Sequence, residues 1–336
     1  MSSHRKLPYS LAINEALHQM MATDSSVFLM GQGVTSPWYI SNTAKGLQER
    51  FGHERVIDTP VSENGITGAA VGAAIAGMKP VVVHPRMDFM LYAMDPLINQ
   101  AANWFSMTGG RSSVPVVLWG IINRLGEQAA QHSQALHGIF AHIPGLKVVM
   151  PATAYDAKGL MIAAIEDPNP VVFVDDRMLY SFEDSVPEDI YRVEIGKGCI
   201  RRKGKDVTIA AVSLMVHEAL KAADELADNG VDAEVIDLRT VKPLDEGLLI
   251  ASVRKTGRLV IADVGWHSFG ISAEIAALVS EKAFDELKFP IVRVALPDCP
   301  APASRALEEV YYPGAYDIVK AVQQIGQGLG RVWHIK

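Results

Sequence analysis

Glu63 is the residue whose setting most strongly suggests chemistry, because it directly precedes an uncharged segment of helical character. That segment, Gly65–Gly77, consists of glycine, alanine and a few isoleucine, valine and threonine residues. Its glycines at positions 65, 68 and 72 recur at helical spacing and therefore share one face. Glycine costs a helix up to about 1 kcal/mol relative to alanine, so this face suits the close approach of another backbone or a flat ligand. A carboxylate beside it either has a dedicated partner or shares a proton. The alternative is a helix N-terminal acid stabilised by the helix dipole.

His132 is the second residue with an evident chemical use. It lies in the polar sequence AAQHSQ (129–134), and His137 and His142 follow at five-residue steps. A histidine among hydrogen-bonding side chains can act as a positioned general acid or base near neutral pH. A core or capping histidine is the alternative. The three histidines also hint at a metal, but no cysteine or tight carboxylate pattern supports one.

Composition excludes several classes of protein. The chain has 336 residues, of which 49% are hydrophobic and 21% charged, as expected for about two globular domains. Its net charge of −7 argues against a nucleic-acid partner, because binding phosphates requires a basic face. Two cysteines are too few for a disulfide framework and fit a reducing compartment. No secretory leader and no apolar run long enough for a membrane span are visible. We therefore expect a cytoplasmic protein without a membrane contact.

Short valine- and isoleucine-rich strands that alternate with helical patterns must position these residues. The first five predicted strands are 27–30, 80–83, 115–118, 146–150 and 170–174. Their continuous hydrophobicity predicts parallel strands covered on both faces. A helix is predicted over 153–166, where Thr153 and Asp156 resemble a capping box.

The texture of the sequence changes after residue 184, which predicts two α/β domains of three layers each, 1–190 and 191–336. The second begins with a βαβ unit formed by a strand at 207–212, a helix over 216–227 and a strand at 233–238. Further strands are predicted at 259–263 and 291–294, with a helix over 271–284 between them.

Several motifs in order resemble one known family. They are GLQERFG (46–52), DTPVSENGITGAAVGAAIAG (58–77), AQHSQ (130–134), PGLKVVMPATAYDAKGLMIAAIEDPNPVVF (144–173), DLRTVKPLD (237–245) and GISAEIAALVSEKAFDELKFPIVRV (270–294). The chain resembles, essentially end to end, the β subunit of the thiamin-diphosphate-dependent, decarboxylating component of 2-oxo acid dehydrogenase complexes. The resemblance implies a transketolase-like pyrimidine-binding domain followed by a transketolase C-terminal domain.

The resemblance also implies roles for four residues. Glu63 matches the glutamate that contacts N1′ of the cofactor's aminopyrimidine, and Phe89 matches the aromatic residue packed against that ring. Gln32 stands where the family usually has a glutamate; it can form hydrogen bonds but cannot relay a proton. His132 matches the histidine near the reacting carbon and the acyl-accepting lipoyl group.

Two further sites are implied by the same resemblance. A structural potassium site, present in parts of the family and built mainly of backbone carbonyls, matches Val116, Ala164, Ile165, Asp167 and Asn169. The alternative for that loop is an ordinary turn at Pro168-Asn169. Asp298 matches an acid that the family presents to the peripheral-binding domain of the acyltransferase; its alternative is a turn cap.

An absent motif predicts a partner. The family's superfamily binds diphosphate and Mg²⁺ through a Gly-Asp-Gly segment, and this sequence contains none. The resemblance therefore implies a separate α subunit that holds the diphosphate and Mg²⁺, in an α2β2 heterotetramer. A small 2-oxo acid is the expected substrate.

Departures from the family pattern leave the substrate and the acceptor open. His84 and Arg86 are unusual, and Trp119, Asn123 and Arg124 are expected near the mouth of the active site. One alternative is a split transketolase-like or carboligating enzyme that passes its two-carbon unit to an aldehyde. Another is a catalytically silent scaffold subunit, although Glu63, Phe89 and His132 together argue against it.

Overall fold

Parallel strands form the centre of each of two units in a computed structural model that describes residues 5–326. Residues 1–4, which belong to the N-terminal segment in which no leader is predicted, lie outside the described residues. Residues 327–336 also lie outside them. The first unit comprises residues 5–124 and 131–195, and the second comprises 125–130 and 196–326. Within the described ranges, no helix combines the length and apolarity needed to cross a membrane.

The first unit contains strands and helices with the following bounds. The strands are β1 (Lys6–Pro8), β2 (Val27–Gly31), β3 (Val56–Asp58), β4 (Lys79–His84), β5 (Val117–Ile122), β6 (Lys147–Val149), β7 (Val171–Asp176) and β8 (Glu183–Ser185). The α-helices are α1 (Tyr9–Thr23), α2 (Pro37–Ile40), α3 (Leu47–Phe51), α4 (Glu63–Ile75), α5 (Asn103–Met107), α6 (His137–His142) and α7 (Ala154–Glu166). A 3-10 segment (Met87–Ala93) and a π-helical segment (Asp95–Ala102) lie between β4 and α5.

The main sheet of the first unit runs in the order β6-β7-β5-β4-β2-β3, and all of these pairings are parallel. Every residue of β2, β5 and β7 is buried, so both faces of the sheet are covered. The strands β1 and β8 form a separate antiparallel pair. Parallel order brings the carboxyl ends of β2, β3 and β4 to one edge, where side chains from different loops can meet.

The second unit repeats this construction on a smaller scale. Its strands are β9 (Cys199–Arg202), β10 (Val207–Ala211), β11 (Ala233–Asp237), β12 (Thr240–Lys242), β13 (Leu259–Trp266) and β14 (Val292–Leu296). Its α-helices are α8 (Leu214–Asp228), α9 (Glu246–Thr256), α10 (Ile271–Lys282), α11 (Arg305–Tyr311) and α12 (Ala315–Gly326). The sheet order is β14-β13-β10-β11-β9, in which β9 is antiparallel to β11 and the other pairings are parallel.

The first unit ends at residue 195, five residues beyond the boundary at residue 190 that the sequence predicts. The reason is a close approach between α7 and the chain that follows β8. A Cβ atom on Gly159 would lie 2.6 Å from the Val193 side chain and 2.9 Å from the Tyr191 ring. The Val193 N–H also donates to the Gly159 carbonyl at 3.2 Å. This segment therefore packs on the first unit.

Lys158 of α7 is fully buried and is held by the same segment. Its ammonium donates to the carbonyls of Pro187, Glu188 and Asp189 at 2.7, 3.1 and 2.9 Å. It also forms a salt bridge of 2.6 Å with Glu15 of α1. A buried ammonium requires such compensation, because an unpaired charge in the interior is costly. We call residues 187–195 the α7 clamp.

Most predicted elements match the structure within a few residues. The βαβ unit is confirmed as β10-α8-β11, with β10 and β11 parallel. Thr153 caps α7, since its hydroxyl oxygen accepts the Asp156 N–H at 3.2 Å. The strand predicted at 115–118 lies instead at Val117–Ile122, after Pro115. The antiparallel edge strand β9 was not predicted.

Candidate active site

A cavity of about 290 Å³ opens at the carboxyl ends of β2, β3 and β4. It is lined by Gln32, Trp38, Tyr39, Pro60, Val61, Ser62, Glu63, Ile66, Val83, His84, Pro85, Arg86, Phe89 and His132. Gln32, Glu63, Phe89 and His132, which the sequence places in four separate segments, therefore meet at one cavity. Apolar walls with a few polar groups are typical of small-molecule sites.

The loop that carries Gln32 is fixed by Asp58 at the end of β3. The Gly33 N–H donates to Asp58 Oδ1 at 2.7 Å, and the Thr35 hydroxyl donates to Oδ2 at 3.1 Å. Gly33 has a φ of +68°, and a Cβ atom there would lie 2.3 Å from the Tyr39 ring. Only glycine fits both conditions. Sequence reasoning assigned no role to Asp58, although it begins the motif that contains Glu63.

Glu63 is the first residue of α4 and is half-buried at the cavity wall. Among residues 5–326, its carboxylate has no hydrogen-bond or salt-bridge partner, so it is available to a bound molecule. The glycines behind it have space: nothing lies within 4 Å of a Cβ on Gly72, and only Pro96 lies near one on Gly68, at 3.9 Å. The close approach expected at this helix is thus not made inside the described chain. Gly65, Ala69, Gly72 and Ala76 face solvent as a small-residue stripe.

Phe89 reaches the cavity from the 3-10 segment that follows β4. Its N–H donates to the Arg86 carbonyl at 3.1 Å, which closes the turn below the cavity. The His132 ring packs edge-on against it, with centroids 5.4 Å apart and planes at 85°. Aromatic pairs favour this geometry, because the edge of one ring meets the face of the other.

Asp88 connects the Phe89 turn to the loop that carries His132. Its Oδ1 accepts the Gln134 N–H at 3.2 Å. Burial raises the pKa of Asp88, against the hydrogen bonds from Gln134 that lower it. His137 is buried and His142 is exposed, and in the described part of the chain no cluster of histidine, cysteine and carboxylate groups could hold a metal. The metal hint is therefore not supported.

His84 and Arg86 form the wall of the cavity beside β4. His84 is 1% exposed, its Nε2 lies 3.3 Å from the Thr67 hydroxyl, and burial lowers its pKa to about 4. Arg86 is half-buried and donates from Nη1 to the Pro85 carbonyl at 2.8 Å. Burial and then repulsion from Arg177 lower the pKa of Arg86, against the attraction of Asp88. A neutral imidazole and a guanidinium thus face the same space.

Residues 5–183 match the family model described as transketolase, pyrimidine binding domain, and residues 196–318 match transketolase, C-terminal domain. The chain is 43% identical over 334 residues to the acetoin:2,6-dichlorophenolindophenol oxidoreductase subunit beta of Cupriavidus necator, covering 96% of this chain and 98% of that one. It is 43% identical to the pyruvate dehydrogenase E1 component subunit beta of Rickettsia felis, covering 94% and 96%. The chain belongs to this family of β subunits.

A solved structure shows the same architecture. The chain is similar to a split gene transketolase, determined as an inactive β4 tetramer, with a TM-score of 0.76 and 26% identity over 95% of this chain and 98% of that one. The predicted fold, a transketolase-like pyrimidine-binding domain followed by a transketolase C-terminal domain, is thereby confirmed.

The expectation for Trp119, Asn123 and Arg124 is wrong in part. Trp119 is fully buried in β5 and packs edge-on against Phe173, with centroids 6.4 Å apart, so it belongs to the core. Asn123 and Arg124 are also buried and do not line the cavity. Asn123 contributes indirectly, because its Nδ2 donates to the Pro85 carbonyl at 3.1 Å. For Trp119 the reason is that β5 is covered on both faces, so the strand leaves its side chain no exposed side.

Two buried carboxylates at the end of β7 were not singled out from the sequence. Burial raises the pKa of Asp175 to about 7, against the polar side chains of Tyr180 and Trp119, which lower it. Burial likewise raises the pKa of Asp176 to about 6, against the attraction of Arg124. The buried Arg124 thus attracts the carboxylate of Asp176 in the core and is not presented to a ligand.

The loop of the potassium prediction is already well bonded. The Val116 carbonyl accepts the Val171 N–H at 3.0 Å, and Asp167 Oδ1 accepts the Asn169 N–H at 2.9 Å. The other oxygen of Asp167 accepts a short hydrogen bond from the Lys147 ammonium. These contacts describe a carboxylate-capped turn, and the potassium site stays a prediction.

Asp298 is exposed in the second unit, where it holds a turn. The Ser268 N–H donates to its Oδ1 at 3.1 Å, and the Ser268 hydroxyl donates to Oδ2. These bonds lower the pKa of Asp298, so the side chain stays charged. The turn-cap role is visible; docking on an acyltransferase stays a prediction.

Proposed function

We propose that this chain is the β subunit of a thiamin-diphosphate-dependent enzyme that decarboxylates a 2-oxo acid and transfers the acyl group to lipoamide. It acts only with a separate α subunit. The observation that carries the proposal is the cavity that joins the Glu63 carboxylate, the Phe89 ring and the His132 imidazole. Relatives at 43% identity are named as β subunits of pyruvate dehydrogenase E1 and of an acetoin oxidoreductase.

The residues present fit the aminopyrimidine of thiamin diphosphate. Phe89 and Ile66 supply apolar surface for a flat ring, and the Glu63 carboxylate is not engaged by any group among residues 5–326. When bound, thiamin diphosphate supplies a carbon nucleophile and then accepts the electron pair left by carbon dioxide. Glu63 would hold a proton in common with ring nitrogen N1′. Exclusion of water from the cavity would strengthen that hydrogen bond.

His132 would serve the proton transfers that accompany substrate binding and acyl transfer. Its ring lies against Phe89, and Asp88 anchors the loop that carries it. An imidazole that packs on a neighbouring ring and lies on an anchored loop is suited to a general acid or base, because its position is restricted before the reaction. Gln32, which also lines the cavity, would donate or accept a hydrogen bond without moving a proton.

The remainder of the cofactor would be held by the α subunit. The sequence contains no Gly-Asp-Gly segment for the diphosphate and Mg²⁺. Trp38 and Val61 at the cavity wall are 77% and 67% exposed, which is unusual for large apolar side chains. Together with the small-residue stripe of α4, they suit a partner that covers the cavity. We assign an α2β2 heterotetramer with paired β subunits.

We also propose a potassium site in the first unit and a docking residue in the second. Val116, Ala164, Ile165, Asp167 and Asn169 would hold a potassium ion, and Asp298 would dock on a dihydrolipoyl acyltransferase core. The protein would work in the cytoplasm.

A second function has a specific observation in its favour. The split gene transketolase shares the fold over 95% of this chain. His84 and Arg86 line the cavity and could bind a polar sugar-like acceptor. In this alternative, the two-carbon unit passes to an aldehyde instead of lipoamide.

The test is to combine the chain with its α subunit, thiamin diphosphate and Mg²⁺ and to supply a panel of 2-oxo acids. Carbon dioxide release with reduction of 2,6-dichlorophenolindophenol, and acyl transfer to lipoamide, would support the proposal. Turnover only with an aldehyde acceptor would favour the alternative. No turnover with any 2-oxo acid would refute the proposed reaction.

A further inference from the structure

The loop that precedes His132 has an unusual backbone. Leu125, Glu127 and Ala129 have φ values of +63°, +61° and +58°. Residues other than glycine rarely adopt this left-handed conformation, because the Cβ atom then lies too close to the following carbonyl oxygen. Three such residues within five positions persist only where surrounding contacts determine the backbone, and such strain is common beside active sites. We call residues 125–130 the strained loop.

Glu308 of α11 supplies a contact that determines this backbone. Both oxygens of its carboxylate accept the Glu127 N–H at 3.1 Å. Glu308 is 1% exposed, and a buried carboxylate is costly unless it is hydrogen-bonded. Within residues 5–326, no other donor bonds this carboxylate. The hydrogen bond from Glu127 therefore compensates the buried carboxylate, and in return it fixes the middle of the strained loop.

The strained loop belongs to the second unit, whereas His132 belongs to the first. The chain leaves the first unit after residue 124 and returns to it at Gln131, one residue before His132. On the other side of His132, Asp88 Oδ1 accepts the Gln134 N–H at 3.2 Å, and Asp88 is buried as well. The imidazole therefore lies on a segment that is restrained on both sides along the chain, each time by a buried carboxylate that accepts a backbone N–H.

We propose that Glu308 is a positioning residue for His132, which holds the strained loop so that the imidazole has its reactive placement in the cavity. This inference rests on the proposed function, in which His132 serves acyl transfer. The residues that line the cavity all belong to the first unit, so Glu308 gives the second unit a part in the reaction without a contact to the cofactor or the substrate. A small displacement of a catalytic group is sufficient to slow a reaction strongly.

Hydrogen exchange measures this anchor without any turnover. In the complex with the α subunit, Glu308→Met should speed exchange of the Glu127 amide, followed in peptides that span residues 125–134, by about tenfold or more, because the amide loses its acceptor. Glu308→Gln keeps an acceptor oxygen and should exchange more slowly than Glu308→Met. Methionine is unbranched and similar in length to glutamate, and Glu127 is exposed to water, so the fold should persist in both variants.

Kinetics test whether the anchor acts through His132. In Glu308→Met, the lipoamide-dependent kcat should fall about tenfold and the activity with 2,6-dichlorophenolindophenol less than about threefold. In the His132→Ala background, Glu308→Met should cause no further loss beyond about twofold, because a residue that acts only through the imidazole has no effect once the imidazole is removed. Glu309→Met is the matched control, since Glu309 is the exposed neighbour on the same helix, and it should leave exchange and both activities unchanged.

The two measurements separate the inference from the reaction itself. Exchange that Glu308→Met leaves unchanged would overturn the inference, whether or not the complex turns over a 2-oxo acid. A full additive loss in the double variant would also overturn it, because the effect of Glu308 would then not pass through His132. Faster exchange in a complex that turns over no 2-oxo acid would sustain the anchor and refute only the proposed reaction.

Discussion

The imidazole of His132 meets the Phe89 ring edge-on, with centroids 5.4 Å apart and planes at 85°. The two residues lie on different loops, and Asp88, the neighbour of Phe89, bonds the loop of His132 through Gln134. Phe89, proposed to pack on the cofactor, and His132, proposed to move protons, are therefore held in place by a shared set of contacts. A change at either position should affect the other.

Glu63→Gln should nearly abolish turnover of the reconstituted enzyme, by at least about 100-fold, and leave the fold intact. The amide cannot share a proton with the cofactor ring, so exchange of the thiamin C2 hydrogen, followed by NMR, should slow as well. Glu49→Gln, an exposed change in the same unit, serves as the control. Unchanged exchange in Glu63→Gln would remove Glu63 from the mechanism.

His132→Ala should separate two steps of the reaction. Lipoamide-dependent activity should fall far more than activity with 2,6-dichlorophenolindophenol, because the imidazole is proposed to serve acyl transfer. The exposed His142→Ala provides the matched control. An equal loss with both acceptors would assign His132 to substrate binding, and no loss would make it structural.

The isolated chain should bind thiamin diphosphate weakly and without dependence on Mg²⁺. It offers residues for the pyrimidine half of the cofactor, whereas no Gly-Asp-Gly segment is present for the diphosphate half. Titration calorimetry with and without Mg²⁺ measures this directly, and the complex with the α subunit is the positive control. Tight, Mg²⁺-dependent binding to the lone chain would contradict the division of the site.

The buried His84 should make the chain less stable in acid. Its pKa is lowered by burial to about 4, below the value of an unfolded histidine, so the unfolded state binds the proton first as pH falls. Stability contributed by the neutral ring is present above about pH 6.5 and is lost as pH falls towards about 4. His84→Gln should flatten this pH dependence by on the order of 2–3 kcal/mol. Thermal unfolding across this pH range, compared with the exposed His142→Gln, provides the measurement, and identical profiles for wild type and His84→Gln would contradict it.

Asp298→Asn should weaken binding of the reconstituted tetramer to its acyltransferase, with a larger effect at low salt. Since Asp298 also caps a turn through Ser268, the control is Ser268→Ala, which removes the side-chain hydrogen bond and keeps the charge. Equal effects of the two variants, measured as binding affinity at two salt concentrations, would reduce Asp298 to its structural role.

Features that depend on short stretches of sequence could be predicted, whereas features that depend on distant contacts could not. The uninterrupted apolar runs predicted β4 and β7, and Thr153 predicted the start of α7. The bond between Asp88 and Gln134 joins residues 46 positions apart and leaves no local trace. Trp119 was misplaced for a related reason: a strand hydrophobic on both faces does not reveal which side chains reach a cavity.

The residues that line the site were easier to predict from the sequence than the residues that fix the loops around it. Gln32, Glu63, Phe89 and His132 each lie in a motif, and the structure brings all four to one cavity. Asp58 and Arg177, which fix the loops around that cavity, lie far along the chain from the groups they bind. Their roles could be recognised only once the parallel strands had brought these loops together.

The α7 clamp determines where the chain can be divided. A fragment that ended at residue 186 would remove the carbonyls of Pro187, Glu188 and Asp189 and leave the buried ammonium of Lys158 with Glu15 alone. It would also uncover the surface of α7 at Gly159 on which Val193 packs. We therefore expect a fragment of the pyrimidine-binding half to lose stability unless it retains the α7 clamp.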